Sequence, residues 1–554
     1  MKKRNFKLLF IYIPLLWFLV GFILLPMLNT IGISFQTKNG FSIQNYINYV
    51  TNPNGFKTIK NTFVLGVSTV LICGLIGTAL AVSINMVKIP YKKIINMLLM
   101  CPMMLPGVLI VISFIQLYGE SGLITSVCKL IFGKMPYYLQ GFWGILFVHA
   151  YTQYIYFYMN VSVAMSFIDS STIESARGMG ASKFHIFKTI IFPTILPAML
   201  SSAIITFISG ISSFSAPNLI GGNYKVLSTQ IMYSKINNYM NIASMQVILL
   251  MLMGISILFL IRYYERKFSV QRNLKATIFQ PYKIKSPILS FLYQFAIWSI
   301  IILIILPIIA TVVLSFVDSS SLMVDMFPSK FTFENYLKIF TKKRVLKPFI
   351  NSVSMTAIAV MCGLIITIPI SYLSVKNTNR INSLLEFLVM LPLTMPVSSI
   401  AINLINTFNR RNIFAFNNSL IGTYAILPIA YITIAIPLLL RTNIISMRNF
   451  NNDLEYAAKG LGANKIHSFR TIIIPAVMPS ILSGAILVYI RTIGEYTMSG
   501  FLYGVHNQPV SIAMVSAIQE YDIGLAMGYG TLTIAICFIG MIISSVIENK
   551  NKMS

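Results

Sequence analysis

The chain has 554 residues, of which 56% are hydrophobic and only 10% charged, with a mean hydropathy of +0.77 and a formal net charge of +28. Soluble domains are roughly a quarter charged, so this chain cannot cover itself with a polar coat and needs a bilayer as solvent for much of its surface. Its basic residues lie mostly between hydrophobic runs, where they serve as topology signals and lipid-headgroup contacts rather than as a nucleic-acid footprint.

Taken in chain order, the first element is an apolar run to Leu28 behind Met1-Lys2-Lys3-Arg4. The run is too long for the h-region of a signal peptide, and Thr30-Ile31-Gly32 is a poor cleavage site. It is read as a first spanning helix with a cytoplasmic N-terminus. A span needs about 20 apolar residues. Twelve such helices are expected, at about 8–29, 62–86, 94–117, 142–166, 195–215, 243–262, 288–314, 350–374, 384–407, 420–441, 475–495 and 525–547. An even number puts both termini on one side. The long connection Arg262 to Lys285 carries seven basic residues, which makes that side the cytoplasm. One outer loop disagrees, because Lys330 to Lys347 holds six. The five cysteines form no Cys-x-x-Cys pair, and the four histidines are too scattered for a metal site.

The strongest organisational signal is an internal repeat. Gln44-Asn45-Tyr46 recurs as Glu334-Asn335-Tyr336, Asn61 as Asn351, and the run Met100 to Pro106 as Met390 to Pro396, all at an offset of 290 residues. Gly178-Met179-Gly180-Ala181 recurs as Gly460-Leu461-Gly462-Ala463, and Thr189, Pro193 and Pro197 as Thr471, Pro475 and Pro479, at an offset of 282. The chain is therefore expected to be all-α, with two parallel six-helix repeats at 1–262 and 288–554 joined by a cytoplasmic connector at 263–287. Such a duplication predicts a pseudo-twofold axis along the membrane normal with a pathway between the halves.

Between the fourth and fifth span of each half lies a polar segment, Asp169 to Lys188 and Asn451 to Arg470. Its pattern predicts a helix, a glycine turn and a second helix running into Pro193 or Pro475. Ala176 and Gly180 are four apart, share a face and permit close approach of another surface. The fifth spans end in polar clusters, Ser209 to Pro217 with Ser213 and Ser215, and Arg491 to Thr497 with Glu495. A charge at that depth faces a partner or a wet cavity. Arg491 and Glu495 either pair as i, i+4 neighbours or form a gate on the pathway's outer side.

The run Glu174-Ser175-Ala176, Gly180, Ile191-x-Pro193 and Leu196-Pro197 resembles the EAA loop of ABC importer permeases, with Ser175 at the middle alanine. The second copy, Tyr456-Ala457-Ala458 and Gly462, departs further, and Glu455 stands one place before the usual acid. The clusters Ser213 to Pro217 with Gly221-Gly222, and Gly494 to Thr497 with Leu502-Tyr503-Gly504, resemble the branch containing fused permeases for ferric iron, thiamine and 2-aminoethylphosphonate. The resemblance implies a type I ABC importer permease fold in the bacterial inner membrane. It also implies coupling of two ATPase copies through Glu174, Ala176, Gly180, Glu455, Ala457 and Gly462, and receipt of ligand, ferric iron first, from an extracytoplasmic binding protein. The chain contains no Gly-x-x-x-x-Gly-Lys-Ser/Thr and no Leu-Ser-Gly-Gly-Gln. ATP and Mg are therefore expected on the partner ATPase, with no cofactor or metal on this chain.

Two other classes compete. An ion-coupled secondary transporter also uses parallel repeats, but it calls for intramembrane acids, and Glu495 is the one good candidate, since Glu386 lies near a helix end. A membrane enzyme calls for a convergent nucleophile, base or metal set, and the sequence presents none.

Overall fold

A computed structural model describes residues 12–133, 139–267, 281–324, 327–376 and 379–553. The chain is helical almost throughout, as a bilayer demands, because a helix satisfies its own backbone hydrogen bonds without water. Its one sheet among the described residues is a two-residue hairpin, Gln36–Thr37 against Gly40–Phe41. Ten described helices are long and apolar enough to cross a membrane, eleven if one sharply bent pair counts as a span.

Two departures from the expected twelve have a local cause. The span at 384–407 is broken: Arg380–Thr394 meets Val397–Phe408 at 111°. Met395, before Pro396, is extended (ψ 139°), and Leu105 before Pro106 is extended likewise (ψ 142°). A residue preceding proline is driven out of the helical region, and proline offers no N–H to continue the ladder. The repeated Met-x-Pro-x-x-x-Pro run is thus a repeated break, and 94–117 divides into Lys92–Met100 and Gly107–Tyr118. The region 142–166 does form a helix, Gly141–Met165, but Thr152 and Asn160 and the buried His149 and Gln153 keep it outside the apolar set. There the Thr69 hydroxyl lies 2.9 Å from His149 Nδ1.

The chain divides into two compact units that do not follow the sequence halves. The first contains residues 1–45, 234–247 and 312–554. Within it the helix Tyr12–Ser34 packs on second-half elements. Phe22 stacks on Phe408 at 4.9 Å, Tyr12 Oη donates to Asn382 Oδ1 at 2.8 Å, and Asn406 Nδ2 donates to Thr30 Oγ1 at 3.0 Å. Gly21 makes the seat possible, since a Cβ there would lie 2.2 Å from the Phe414 ring. The second unit contains residues 46–233 and 248–311. Its core joins Cys73, Leu99, Tyr154 and Val161 to Ile297, Ile301 and Ile304 of the helix Pro287–Leu314. Ser113 and Thr311 share a hydrogen bond of 2.6 Å, and Tyr151 Oη donates to the Ile304 carbonyl at 2.6 Å. Each unit therefore includes one spanning helix from the other sequence half. Most of the 263–287 connector lies outside the described residues. Its last part is anchored where the Tyr282 N–H donates to the Met86 carbonyl at 2.7 Å and its carbonyl accepts from the Lys88 N–H at 2.9 Å.

Candidate functional site

The two polar segments fold alike, down to their caps. Asp169 opens the helix Ser170–Gly178 by accepting from the Ser171 N–H at 3.0 Å, and Asn451 opens Asn452–Gly460 by accepting from the Asp453 N–H at 2.9 Å. Both helices end on a left-handed glycine, Gly180 at φ +82° and Gly462 at φ +87°. The Gly180 N–H donates to the Arg177 carbonyl and that of Ala181 to the Ala176 carbonyl; Gly462 and Ala463 repeat the pattern onto Lys459 and Ala458. This is the Schellman closure, which consumes the last free carbonyls of the helix. A second cap follows, Ser182 for the His185 N–H and Asn464 for the His467 N–H. The chain then passes through a π-turn, Phe187–Ile191 or Phe469–Ile473, without interruption into the next span. Lys183–Ser212 and Ile466–Ile493 are each one continuous helix.

The helical phase differs from the one expected. Ile173 and Ala176 point into the protein, and Glu455 and Ala458 take the same two positions in the second copy. Ala176 packs mostly against its own unit but, with Gly180, still lines an open groove, and Ala458 is its counterpart in the second copy. Glu174, Ala457, Gly180 and Gly462 are exposed. Sequence reasoning missed the exposed apolar tips. Met179 is 83% and Leu461 91% exposed at matching positions, and Phe184 and Ile466 follow on the next turn. An apolar residue before each turn glycine was the available signal.

Glu455 differs most from expectation. It is 5% exposed, and its carboxylate accepts from Lys376 Nζ at 2.5 Å and pairs with Lys459 Nζ at 2.7 Å. Lys376 also donates to Asn452 Oδ1 at 2.5 Å and lies over the Phe450 ring. Burial pushes the Glu455 carboxyl up, but the hydrogen bonds from Lys376 and Lys459 outweigh it and hold the group below the usual glutamate range. Glu455 is thus an internal strut tying the segment to the end of the helix Lys343–Lys376. In the first half, Ile173 and Met86 occupy the corresponding positions in one apolar cluster. Beside the first segment an open groove of ≈ 880 Å3 is lined by Ser171, Ser175, Ala176, Met179, Gly180 and His185.

At the far end of both continuous helices the backbone breaks. Phe192–Ser212 gives way to the short helix Ser215–Ile220, and Ile474–Ile493 to Thr497–Leu502. Ser213 turns its carbonyl to the Ser228 hydroxyl at 2.6 Å, and Ser215 stands half-buried at the start of its short helix. Arg491 and Glu495 do not pair. The helix ends at Ile493, so the two residues no longer share an i, i+4 face. The Glu495 carboxylate accepts instead from the N–H groups of Thr497 at 3.1 Å and Met498 at 2.7 Å, capping the short helix. Arg491 is exposed and has no ion pair among the described residues. No described group of three or more His, Cys, Asp or Glu is placed to hold a metal.

The model of the family "binding-protein-dependent transport system inner membrane component" matches the chain twice, at residues 71–270 and 343–551. A probable ABC transporter permease protein, y4fN, of Sinorhizobium fredii is 27% identical over 530 residues, covering 94% of this chain and 93% of that protein. The ferric transport system permease protein FbpB of Actinobacillus pleuropneumoniae is 23% identical over 445 residues, covering 78% of this chain and 63% of that protein. A crystal structure of a bacterial ABC transporter for import of the acidic polysaccharide alginate aligns with 48% of this chain and 98% of its own at a TM-score of 0.42 and 17% identity.

Proposed function

Because the chain belongs to the binding-protein-dependent inner membrane transport components, we propose that it is a fused permease of twelve spans in two six-helix repeats, importing ferric iron at the expense of ATP hydrolysed on a separate subunit. Gly141–Met165 and the bent pair Arg380–Thr394 with Val397–Phe408 supply the spans beyond the ten apolar ones. Both termini and the two helix–glycine–helix segments face the cytoplasm. Each segment docks one ATPase copy, and an extracytoplasmic binding protein delivers the ligand.

The observation that carries this reading is the continuity of each segment with a span. At 1.5 Å per residue, the helices Lys183–Ser212 and Ile466–Ile493 are each roughly 40–45 Å long. Each begins beside an exposed apolar side chain, Phe184 or Ile466, and ends at a polar break, so a displacement imposed there is carried along one continuous helix to the break at Ser213 or Glu495. The paired Schellman turns fix the angle between tip and helix. Exposed Glu174 is the acid available to an ATPase in the first half; in the second, Glu455 is already occupied, and the exposed Tyr456 and Leu461 offer aromatic and apolar contacts instead.

Ferric iron rests on the ferric transport permeases among the relatives. A second reading, import of the anion 2-aminoethylphosphonate, has exposed Arg491 in its favour, a guanidinium without a carboxylate partner among the described residues. Uptake of labelled ferric iron by iron-starved cells with and without this gene decides between them. Loss of uptake on deletion supports iron. Unchanged uptake, with no other iron importer active, moves the substrate to the phosphonate and leaves the permease assignment standing.

A further inference from the structure

We infer that the short helices Gln44–Thr51 and Glu334–Thr341 lie in the lipid headgroup layer as a matched pair of interfacial anchors, the second also binding anionic phospholipid. Each stands between two membrane-long helices, Tyr12–Ser34 and Pro53–Met86 for the first, Pro287–Leu314 and Lys343–Lys376 for the second. Each is therefore at a membrane face by connectivity alone.

Side-chain bonds hold both helices close to the end of the preceding span. Asn335 Nδ2 donates to the carbonyls of Ser315 and Val317, each at 2.9 Å, and the Tyr336 hydroxyl meets Ser315 Oγ at 2.7 Å. Asn45 Nδ2 donates to the Gln36 carbonyl at 2.9 Å in the first copy. The face turned away from these anchors is apolar and exposed. It carries Leu337 and Phe340, with Phe333 exposed but meeting Phe316 edge-on at 5.3 Å, in one copy and Ile43, Ile47 and Val50 in the other. Both sets recur at i, i+4 and i+7, which is one helical stripe, and they match position for position at the offset of 290.

An amphipathic helix tied within a turn of a span, with its apolar stripe uncovered, meets its solvent requirement by sinking that stripe to the acyl boundary. Lipid is the occupant the surroundings select. The span that follows likewise exposes apolar side chains, Ile350, Ile358, Met361 and Ile365. Lys342, Lys343, Arg344 and Lys347 are exposed at that junction, where ammonium and guanidinium groups meet phosphate headgroups. This also accounts for the one loop whose charge runs against the positive-inside pattern. Those cations are a headgroup contact and not an orientation signal.

The test places a nitroxide on Leu337→Cys or Ile47→Cys in the full chain, in mixed phosphatidylcholine–phosphatidylglycerol bilayers. The identically treated unsubstituted chain is subtracted as background for the native cysteines. Collisional relaxation by oxygen is expected to exceed that by a water-soluble nickel chelate at both positions. Changing Lys342, Lys343, Arg344 and Lys347 together to Gln is expected to shift the 337 label toward nickel access in the mixed bilayer but not in pure phosphatidylcholine. Nickel access above oxygen access at either position assigns the stripe to water or a soluble protein partner and overturns the inference. An unmoved 337 label after the fourfold change in the mixed bilayer overturns its anionic-lipid part.

Discussion

Replacing the ionic strut under the second segment with the apolar pair of the first half tests how that segment is held. Lys376→Met removes one of two ammonium groups from a carboxylate whose side chain is only 6% exposed. A hydrogen bond to a charged group contributes about 1.5–3 kcal/mol. Lys376 keeps 23% exposure and Glu455 keeps Lys459, so the expected loss is discounted to about 1–2 kcal/mol. Glu455→Ile removes the buried charge itself and leaves two lysines that already reach water, at a cost below about 1 kcal/mol. The double variant reproduces the Ile173 and Met86 pairing, and replacing a buried ion pair by apolar groups of similar size is commonly neutral or stabilising. The second substitution should therefore rescue the first. The thermal unfolding midpoint of the four chains in lipid nanodiscs measures this as a double-mutant cycle. A double variant no more stable than Lys376→Met alone would refute the strut.

The same strut gives a pH signature. With its carboxyl held below the usual range, Glu455 adds stability that is fully present above the unfolded glutamate value of about 4.3 and is lost as pH falls through its lower folded value; the midpoint of the double variant should lack this acid step. Gly180→Val and Gly462→Val should abolish transport while leaving membrane abundance intact. Nothing lies within 4 Å of an added Cβ at either position, so the penalty is the left-handed backbone alone, about 1–2 kcal/mol, and normal uptake by both variants sinks the requirement for the turn. Glu495→Ala should lower the unfolding midpoint more than Arg491→Ala, because only Glu495 caps a helix; equal shifts would mean that the cap contributes nothing.

The parts legible in the sequence are those written locally. The helix–glycine–helix segments, their glycine turns and their continuity into the proline-bearing spans need only capping residues and one φ > 0 position. The partner of Glu455 was not legible, since Lys376 lies on another helix 79 residues away and nothing in the spacing joins them. The inward position of Ala176 and Ala458 was not legible for the same reason. Small residues mark a helix face, but whether it turns inward depends on what it packs against, and the same phase is met by an apolar cluster around Ile173 in one copy and by the Lys376 and Lys459 ammonium groups at Glu455 in the other. The breaks at Pro106 and Pro396 were readable in principle. Hydropathy alone concealed them, as it scores an apolar run without asking whether its backbone stays helical.

The exchange of helices between units has a sequence trace as well, in Leu25-Pro26 with Thr30 and Ser34-Phe35, which recur as Leu306-Pro307 with Thr311 and Ser315-Phe316. Each threonine finds its partner on a broken helix of the opposite sequence half, Thr30 with Asn406 and Thr311 with Ser113. A sequence half made alone thus lacks the helix its unit receives and exposes the seat built for it, including the Phe408 ring or the Ser113 hydroxyl. Unpartnered hydroxyls and amides in hydrocarbon are costly, so residues 1–262 or 288–554 expressed singly should be degraded or aggregate. Their co-expression should restore a stable, transport-competent pair, because each supplies the other's missing helix. Pulse-chase lifetimes of the two fragments, apart and together, measure this. A long-lived single half would show that the exchanged helix is dispensable to its unit and that the repeats fold as the sequence divides them.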